Sequence, residues 1–271
     1  ERLHGVGYMV NSSGAAEADS GNNTWDFMDG YYKATGDWSG SMNWMWQRGA
    51  GFDVVDWNGN GQVRHVPHNL GQAPEFIIVK RRSGSEDWTC YHKGLNGGTN
   101  PSWYYIQLNS NGGQGQYTNY EPGNAGAYNM WNREDPTSSH IAIGEHDRVN
   151  TIGQTYMALL FASANDADGN PISKVGYYGG NDTSQTISTG FQPRFVIIKI
   201  VDAGHTADWI ILDTTRGWAS GNDAYLKLNS NDAQLNNVLD IGAPTSGGFT
   251  VVGGSRGWNE ATKNYIYYAH A

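Results

Sequence analysis

The chain has 271 residues, a formal net charge of -9 and an aromatic content of 13%, together with 37 glycines. This length is typical of about two ordinary domains, and the many aromatic residues and glycines favour strands joined by tight turns over helices. The acidic charge and the scattered basic residues exclude a footprint for a phosphate backbone, so we expect no nucleic-acid partner.

Cysteine usage and hydropathy exclude further classes. Because Cys90 is the one cysteine, an intrachain disulfide and a Cys-based zinc site are excluded, and we expect it to be a small apolar side chain in a strand. No stretch approaches the roughly 18 apolar residues of a membrane span, so we expect no membrane insertion. We also expect no cofactor.

The first segment in chain order, residues 1–48, matches no later part of the sequence. Residues 42–48 precede the next segment in the way that residues 155–162 precede a later one. They are therefore expected to form the final strand of a partial or degenerate N-terminal module.

Two similar copies follow, residues 49–164 and residues 172–271, with residues 165–171 as a short linker. Five collinear matches relate the copies at a spacing of 108 to 121 residues, longer than the roughly 20 to 50 residues of a solenoid repeat. This pattern indicates a duplicated domain. The matched segments are residues 71–80 with 190–199, 87–88 with 208–209, 105–110 with 225–230, 136–138 with 244–246, and 155–158 with 264–267.

Each copy is expected to contain about seven strands. Residues 76–79 and 195–198 have the composition of central strands covered on both faces, and alternating or turn-flanked runs indicate the others. The fold class predicted is all-β, with two tandem homologous antiparallel β-sandwich (jelly-roll-like) domains. The other predicted strands are residues 53–57, 87–91, 104–109, 140–143 and 155–162 in the first copy, and 175–178, 208–212, 225–229, 248–252 and 264–271 in the second.

The first copy carries an insertion, residues 111–130. Between Ser110 and Pro136 lie 25 residues, whereas 13 lie between the equivalent Ser230 and Pro244. Its Gly, Asn, Gln and Tyr content cannot bury a core, so we expect a surface loop, either a solvated insertion or a binding loop. Its candidate contact residues are Tyr117, Tyr120 and Tyr128.

Tryptophan is abundant, with 11 residues. Trp88 and Trp209 recur in both copies and are expected to pack in the core. The others in Gly/Asn-rich segments are expected to be exposed, where they could stack on a sugar; the alternative is a core or subunit-interface role. Of these, the candidate surface or ligand contacts are Trp103, Trp131, Trp218 and Trp258, with Trp25 and Trp38 in similar surroundings.

Catalytic and metal-binding patterns are weak. A glycosidase needs two facing carboxylates, but the acidic residues near the insertion match no catalytic motif, so we expect no enzyme activity. His65 and His68 flank a Pro-containing turn without a third ligand, and residues 166–170 lack the Glu that completes a calcium loop, so no metal is expected. The acidic residues are Glu121, Glu134, Asp135, Glu145 and Asp147.

Several segments together resemble a known module. The sequence is similar to a tandem module of uncharacterised function in virion structural and tail-fibre-like proteins of bacteriophages, notably phages of marine bacteria and cyanobacteria. The resemblance covers about residues 42–271. The segments that carry it are residues 52–55, 66–71, 74–81, 87–88, 91–92, 108–110 and 135–139, and in the second copy 174–176, 208–209 and 226–230.

This resemblance implies β-sandwiches of lectin-like shape on a phage particle. The function expected is a non-enzymatic virion structural module, in a tail fibre, spike or capsid appendage at the particle surface. Its expected partners are other copies of itself, in a homo-oligomer, other virion proteins and a host-surface glycan. The alternative is a carbohydrate-binding or polysaccharide-degrading module, which exposed tryptophans in one groove would favour.

Overall fold

The structure is a computed structural model that describes residues 6–9, 18–27, 30–32, 46–116, 129–254 and 257–271, with the backbone alone up to residue 32 and at residues 237 and 238. The chain is all-β, with several antiparallel sheets, as a β-sandwich requires. Cys90 lies in a strand, as expected, and is buried. Among the described residues, no helix is long and apolar enough to cross a membrane.

The N-terminal segment contains a three-stranded sheet of β1 (Val6–Met9), β2 (Ala18–Phe27) and β3 (Gly30–Tyr32). The strand expected at residues 42–48 is not present in its described part, because residues 46–48 are irregular. Residues 42–45 lie outside the described residues. Trp46 instead packs its ring edgewise on Phe161 and Phe195, at centroid distances of 5.4 and 5.8 Å.

The first copy forms a six-stranded large sheet, in the order β4-β11-β6-β7-β8-β9, and a small sheet of β10 and β5. One short helix, α1 (Asp147–Asn150), precedes the last strand. The strands are β4 (Phe52–Asn58), β5 (Arg64–Pro67), β6 (Phe76–Arg81), β7 (Thr89–His92), β8 (Tyr104–Gln107), β9 (Gly115–Gln116), β10 (His140–Ile143) and β11 (Thr155–Phe161).

The second copy forms a seven-stranded large sheet, in the order β12-β13-β21-β15-β16-β17-β18, and a small sheet in the order β14-β20-β19. The strands are β12 (Ala164–Asn165), β13 (Pro171–Gly179), β14 (Gln185–Ser188), β15 (Phe195–Ile200), β16 (Ile210–Asp213), β17 (Asp223–Lys227), β18 (Leu235–Leu239), β19 (Pro244–Thr245), β20 (Gly248–Val251) and β21 (Asn264–His270).

The strand order recurs along with the sequence. In the first copy β4 pairs with β11, which pairs with β6, and β7 and β8 follow; in the second copy β13, β21, β15, β16 and β17 have the same order. The small sheets pair β5 with β10 and β14 with β20. The strands expected at residues 76–79 and 195–198 are interior strands with buried side chains on both faces, which confirms that prediction.

The two large sheets face each other across a shared inner core. Side chains alternate along each strand, so Phe76 and Ile78 face this core while Ile77 and Val79 face the small sheet of their own copy. Each large sheet therefore lies between the inner core and an outer core. The inner core includes Phe52, Phe76, Ile78, Cys90, Ile106 and Phe161 from the first copy, and Val175, Phe195, Ile197, Trp209, Ile266 and Tyr268 from the second.

Direct contacts join the copies across the inner core. The Trp209 ring stacks on Phe76 with a centroid distance of 6.2 Å, and its Nε1 donates to the carbonyl of Gln107 at 2.9 Å. His92 and the carbonyl of Tyr267 lie 3.2 Å apart at the same interface. A buried Trp contributes a large apolar area, so this contact is a major stabilising element.

Two lysines at equivalent positions of the repeat, Lys80 and Lys199, are fully buried on the inner-core side of their strands. The Nζ of Lys80 donates to the carbonyl of Glu86 at 2.8 Å, and that of Lys199 donates to the carbonyls of Ala207 at 2.5 Å and Asn111 at 2.9 Å. Burial lowers the pKa of Lys199 to about 8. These hydrogen bonds compensate part of the desolvation cost of the two ammonium groups.

The insertion is not a surface loop over its whole length, which corrects the sequence-based expectation. At its start, the Asn111 carbonyl accepts from Lys199, and the Gln114 amide donates to the Val201 carbonyl at 2.9 Å. At its end, Asn129 and Met130 are buried, because Met130 packs into the outer core of the first copy. Residues 117–128 lie outside the described residues.

Candidate metal centre

Three polar side chains converge at the small sheet of the first copy. The Nε2 of His65 lies 3.0 Å from both carboxylate oxygens of Glu134, and the Nε2 of His140 lies 3.4 Å from Oε1 of the same carboxylate. The two imidazole rings are 4.3 Å apart, centroid to centroid. Within the described part of the chain, this is the one group of at least three His, Cys, Asp or Glu side chains whose ligand atoms could share a metal ion.

Strand pairing brings the two histidines together. His65 lies in β5 opposite Ala142 of β10, and His140 lies two residues from Ala142, so the imidazoles are diagonal neighbours on one face of the sheet. Val66 and Ile141 alternate with them and are buried in the outer core. The histidines therefore point away from that core, towards solvent.

A tight turn brings Glu134 to the histidines. Trp131 anchors this turn, because its ring is buried and its Nε1 donates to the carbonyl of Tyr104 at 2.9 Å. Asn132 and Arg133 then adopt left-handed conformations with φ of 50° and 55°, and the Glu134 amide donates back to the Trp131 carbonyl at 3.0 Å. Consecutive left-handed residues other than Gly are uncommon, so buried packing holds an unfavourable turn in place.

The hydrogen bond from His65 lowers the pKa of the Glu134 carboxyl below its ordinary value, with a second contribution from His140. On the other side of the His140 ring, Nδ1 lies 3.1 Å from Thr137 Oγ1 and 3.2 Å from Ser139 Oγ. Hydroxyl oxygens at this position can accept from a protonated Nδ1. With Nδ1 protonated in this way, Nε2 could exchange its hydrogen bond to Glu134 for a bond from its lone pair to a cation.

The comparison with known sequences concerns the whole chain. The profile of one domain family, described as a domain of unknown function, matches residues 3–271. The chain belongs to the DUF7483 family. No curated protein and no solved structure matches it. The matched range includes both residues 49–164 and residues 172–271.

The second copy of this DUF7483 chain lacks the three side chains. Thr186 of β14 and Gly248 of β20 stand where the first copy has His65 and His140. The turn that carries Glu134 is also shorter there. Equivalent backbone hydrogen bonds mark where the turn starts in each copy: Gly144 donates to the Met130 carbonyl, and Val252 donates to the Ile241 carbonyl. Five residues separate Met130 from Pro136, whereas two separate Ile241 from Pro244.

The local sequence around His65, Glu134 and His140 gives no sign that these side chains form one cluster. The histidines are distant in sequence, and only the pairing of β5 with β10 shows that they are neighbours. His68, paired with His65 at the sequence level, is instead buried, with its Nε2 3.2 Å from the Thr137 carbonyl. A comparison of the two copies would have shown that both histidines replace non-ligand residues.

The tryptophans expected at the surface are mostly buried in this DUF7483 chain. Trp131, Trp218 and Trp258 are 3%, 2% and 3% exposed, which corrects their assignment as surface contacts. Trp131 packs in the first outer core, and Trp218 and Trp258 pack in the second. Trp88 and Trp209 are buried, as expected.

Trp103 is the described candidate that remains accessible, with 37% exposure. The guanidinium of Arg133 lies over its ring at 4.5 Å, which is cation–π geometry and covers one of its faces. Tyr117, Tyr120, Tyr128, Trp38 and the side chain of Trp25 lie outside the described residues.

The remaining sequence-level candidates have local structural roles. In the linker, the amides of Asp168 and Asn170 donate to Asp166 Oδ1 at 2.9 and 2.8 Å, which closes the turn and lowers the pKa of the Asp166 carboxyl. Asp147 begins α1, and its carbonyl accepts from the Tyr156 hydroxyl at 2.8 Å. Glu134 belongs to the histidine cluster described above, and Glu121 lies outside the described residues.

Proposed function

We propose that this chain is a non-enzymatic structural module of a bacteriophage particle, in a tail fibre, spike or capsid appendage at the particle surface. It assembles with other copies of itself, in a homo-oligomer, and with other virion proteins, and it contributes to contact with the host surface. Within it, two tandem jelly-roll-like β-sandwiches span residues 49–164 and 172–271, after an N-terminal module of residues 1–48. The recurring strand order supports this division.

The observation that carries the proposal is the shared inner core. Phe76, Trp209 and their neighbours fix the two large sheets face to face, so the copies act as one rigid body and not as beads on a flexible linker. A particle appendage must keep its shape between its attachment point and the host. Close packing of this kind gives low compressibility, which suits such a role.

A glycan-binding or polysaccharide-degrading role is less well supported. Sugar recognition by stacking needs exposed aromatic faces, whereas Trp131, Trp218 and Trp258 are buried and Arg133 covers a face of Trp103. Buried aromatic residues with satisfied N–H groups, such as Trp131 and Trp218, are typical of structural packing.

The test is the location of the chain in particles assembled from a phage genome that carries its gene. Quantitative mass spectrometry of gradient-purified particles should find the chain in a fixed ratio to the major capsid protein, and immunogold labelling should place it at one defined position. Purified chain should release no sugar from host polysaccharide. Recovery of the chain only in the soluble lysate fraction, or polysaccharide cleavage, would contradict the proposal.

A further inference from the structure

We infer that His65, His140 and Glu134 bind one divalent transition-metal ion at the surface of the small sheet of the first copy. The inference depends on this cluster alone and holds whether or not the chain belongs to a phage particle. Three features of the cluster support it: the spacing of the ligand atoms, their chemical type and the elements that they join.

The ligand atoms have the spacing that a small cation requires. Metal–ligand distances of about 2.0–2.1 Å in a tetrahedral site place neighbouring ligand atoms about 3.3 Å apart. The Nε2 atoms of His65 and His140 lie 3.0 and 3.4 Å from the Glu134 carboxylate, and all three ligand atoms lie within 4.8 Å of one another. Small side-chain rotations suffice to centre an ion.

The ligand types select the class of metal. Two imidazoles and one carboxylate suit Zn²⁺ and similar first-row ions, whereas Ca²⁺ and Mg²⁺ prefer sites made of oxygen ligands. The contacts of His140 Nδ1 with the hydroxyls of Thr137 and Ser139 provide the outer contacts that usually orient a metal-binding imidazole. Three protein ligands leave at least one coordination position for water or another ligand.

The ion would join three separate parts of the first copy. His65 belongs to β5, His140 to β10, and Glu134 to the turn that follows the insertion. The left-handed pair Asn132 and Arg133 makes this turn unfavourable by itself. Metal binding would therefore stabilise the turn and fix the end of the insertion against the small sheet.

The test uses the purified 271-residue chain, stripped with a chelator and then dialysed. Calorimetric titration with Zn²⁺ should give one strong site, and Co²⁺ should give the visible absorption bands of a bound ion. The melting temperature should rise with Zn²⁺ but not with millimolar Mg²⁺ or Ca²⁺. His65→Gln and Glu134→Gln should each weaken the strong site by about 100-fold or more, and Thr137→Val by about 10-fold.

The second copy offers a matched control. His205 forms a pair with Glu260 at 3.4 Å, without a second histidine, so His205→Gln removes a similar surface pair and should leave the strong site unchanged. His65 is half exposed, so its substitution should not affect folding, which circular dichroism will verify. Absence of a strong site, or a strong site that survives His65→Gln and Glu134→Gln, would overturn the inference.

Discussion

Asn150 and Asn259 occupy equivalent positions in the two copies and make the same three backbone hydrogen bonds. The side-chain oxygen of Asn150 accepts from the Asn60 amide at 3.0 Å, and that of Asn259 accepts from the Asn181 amide at 3.2 Å. Asn60 and Asn181 each lie two residues after the end of a strand, β4 and β13. Each is fully buried. Their Nδ2 groups donate to the carbonyls of Gln62 and Gly144 in one copy, and of Thr183 and Val252 in the other.

Asn150→Ala and Asn259→Ala should each destabilise the protein. Each substitution leaves one backbone amide and two carbonyls, in part-buried or buried surroundings, without their protein partner, and an unsatisfied buried group costs about 1–3 kcal/mol. We expect a loss of about 2–4 kcal/mol in the free energy of unfolding, measured by urea denaturation. Asn231→Ala removes the same side chain at an exposed position and serves as the control, and equal losses for all three variants would contradict the expectation.

Gly180→Ala should destabilise the protein, whereas the adjacent Gly179→Ala should have little effect. A Cβ at Gly180 would lie 2.1 Å from the Glu260 carbonyl oxygen, while a Cβ at Gly179 would meet nothing within 4 Å. Overpacking against backbone costs about 1–3 kcal/mol. Thermal melts of the two variants provide the measurement, and similar melting temperatures would show that the loop can move aside.

Trp209→Ala should cost about 3–5 kcal/mol, because it removes a fully buried ring from the inner core and the hydrogen bond to Gln107. Trp103→Ala, at an exposed position, should cost about 1 kcal/mol or less.

Both sheets share the inner core, so unfolding should occur in one transition. Calorimetry of the wild-type chain checks this, and two separated transitions would disprove cooperative unfolding of the copies.

Acid should destabilise the protein through His92. Burial lowers the pKa of His92 to about 3, against an ordinary value of 6.5, so the neutral ring is favoured in the folded state. Its Nδ1 accepts from the Gly94 amide at 3.0 Å, which leaves no acceptor for a second ring proton. Between about pH 6.5 and 3 the unfolded chain binds more protons, so the stability contributed by neutral His92 is fully present above pH 6.5 and is lost as pH falls.

The measurement is the free energy of unfolding at several pH values from 7 to 4. In this window His92 should contribute a slope approaching about 1.4 kcal/mol per pH unit. His92→Gln should reduce that slope, whatever its effect on stability at pH 7. Trp103→Ala, which removes no ionisable group from an exposed position, should leave the slope unchanged. An unaltered slope in His92→Gln would refute the assignment.

The repeat and the apolar periodicity were sufficient to predict most strands. Residues 140–143 and 76–79 were placed correctly, because continuous or alternating apolar runs report directly on burial. The packing of one large sheet on the other was not predicted, since it depends on which face of each sheet remains to be covered. The surface assignment of Trp131 failed for a related reason: its Gly- and Asn-rich neighbours indicate turns, but turns can fold over a buried ring.

The candidate metal centre was the feature that the sequence predicted least well. His65 and His140 come together through strand register, and Glu134 joins them through two left-handed residues that a local pattern does not reveal. Comparison of the copies offers more information than either copy alone. The second copy has Thr186 and Gly248 at the positions of the two histidines. The strand pairing that the copies share therefore does not require histidine at either position.

The pairing of the first strand of each copy with its last has a consequence for synthesis on the ribosome. β11 lies between β4 and β6, and β21 lies between β13 and β15. Neither large sheet can close until its final strand has left the exit tunnel, and the earlier strands must wait with open hydrogen-bonding edges. Such long-range closure is slow, so nascent chains would be vulnerable to edge-to-edge association at this stage.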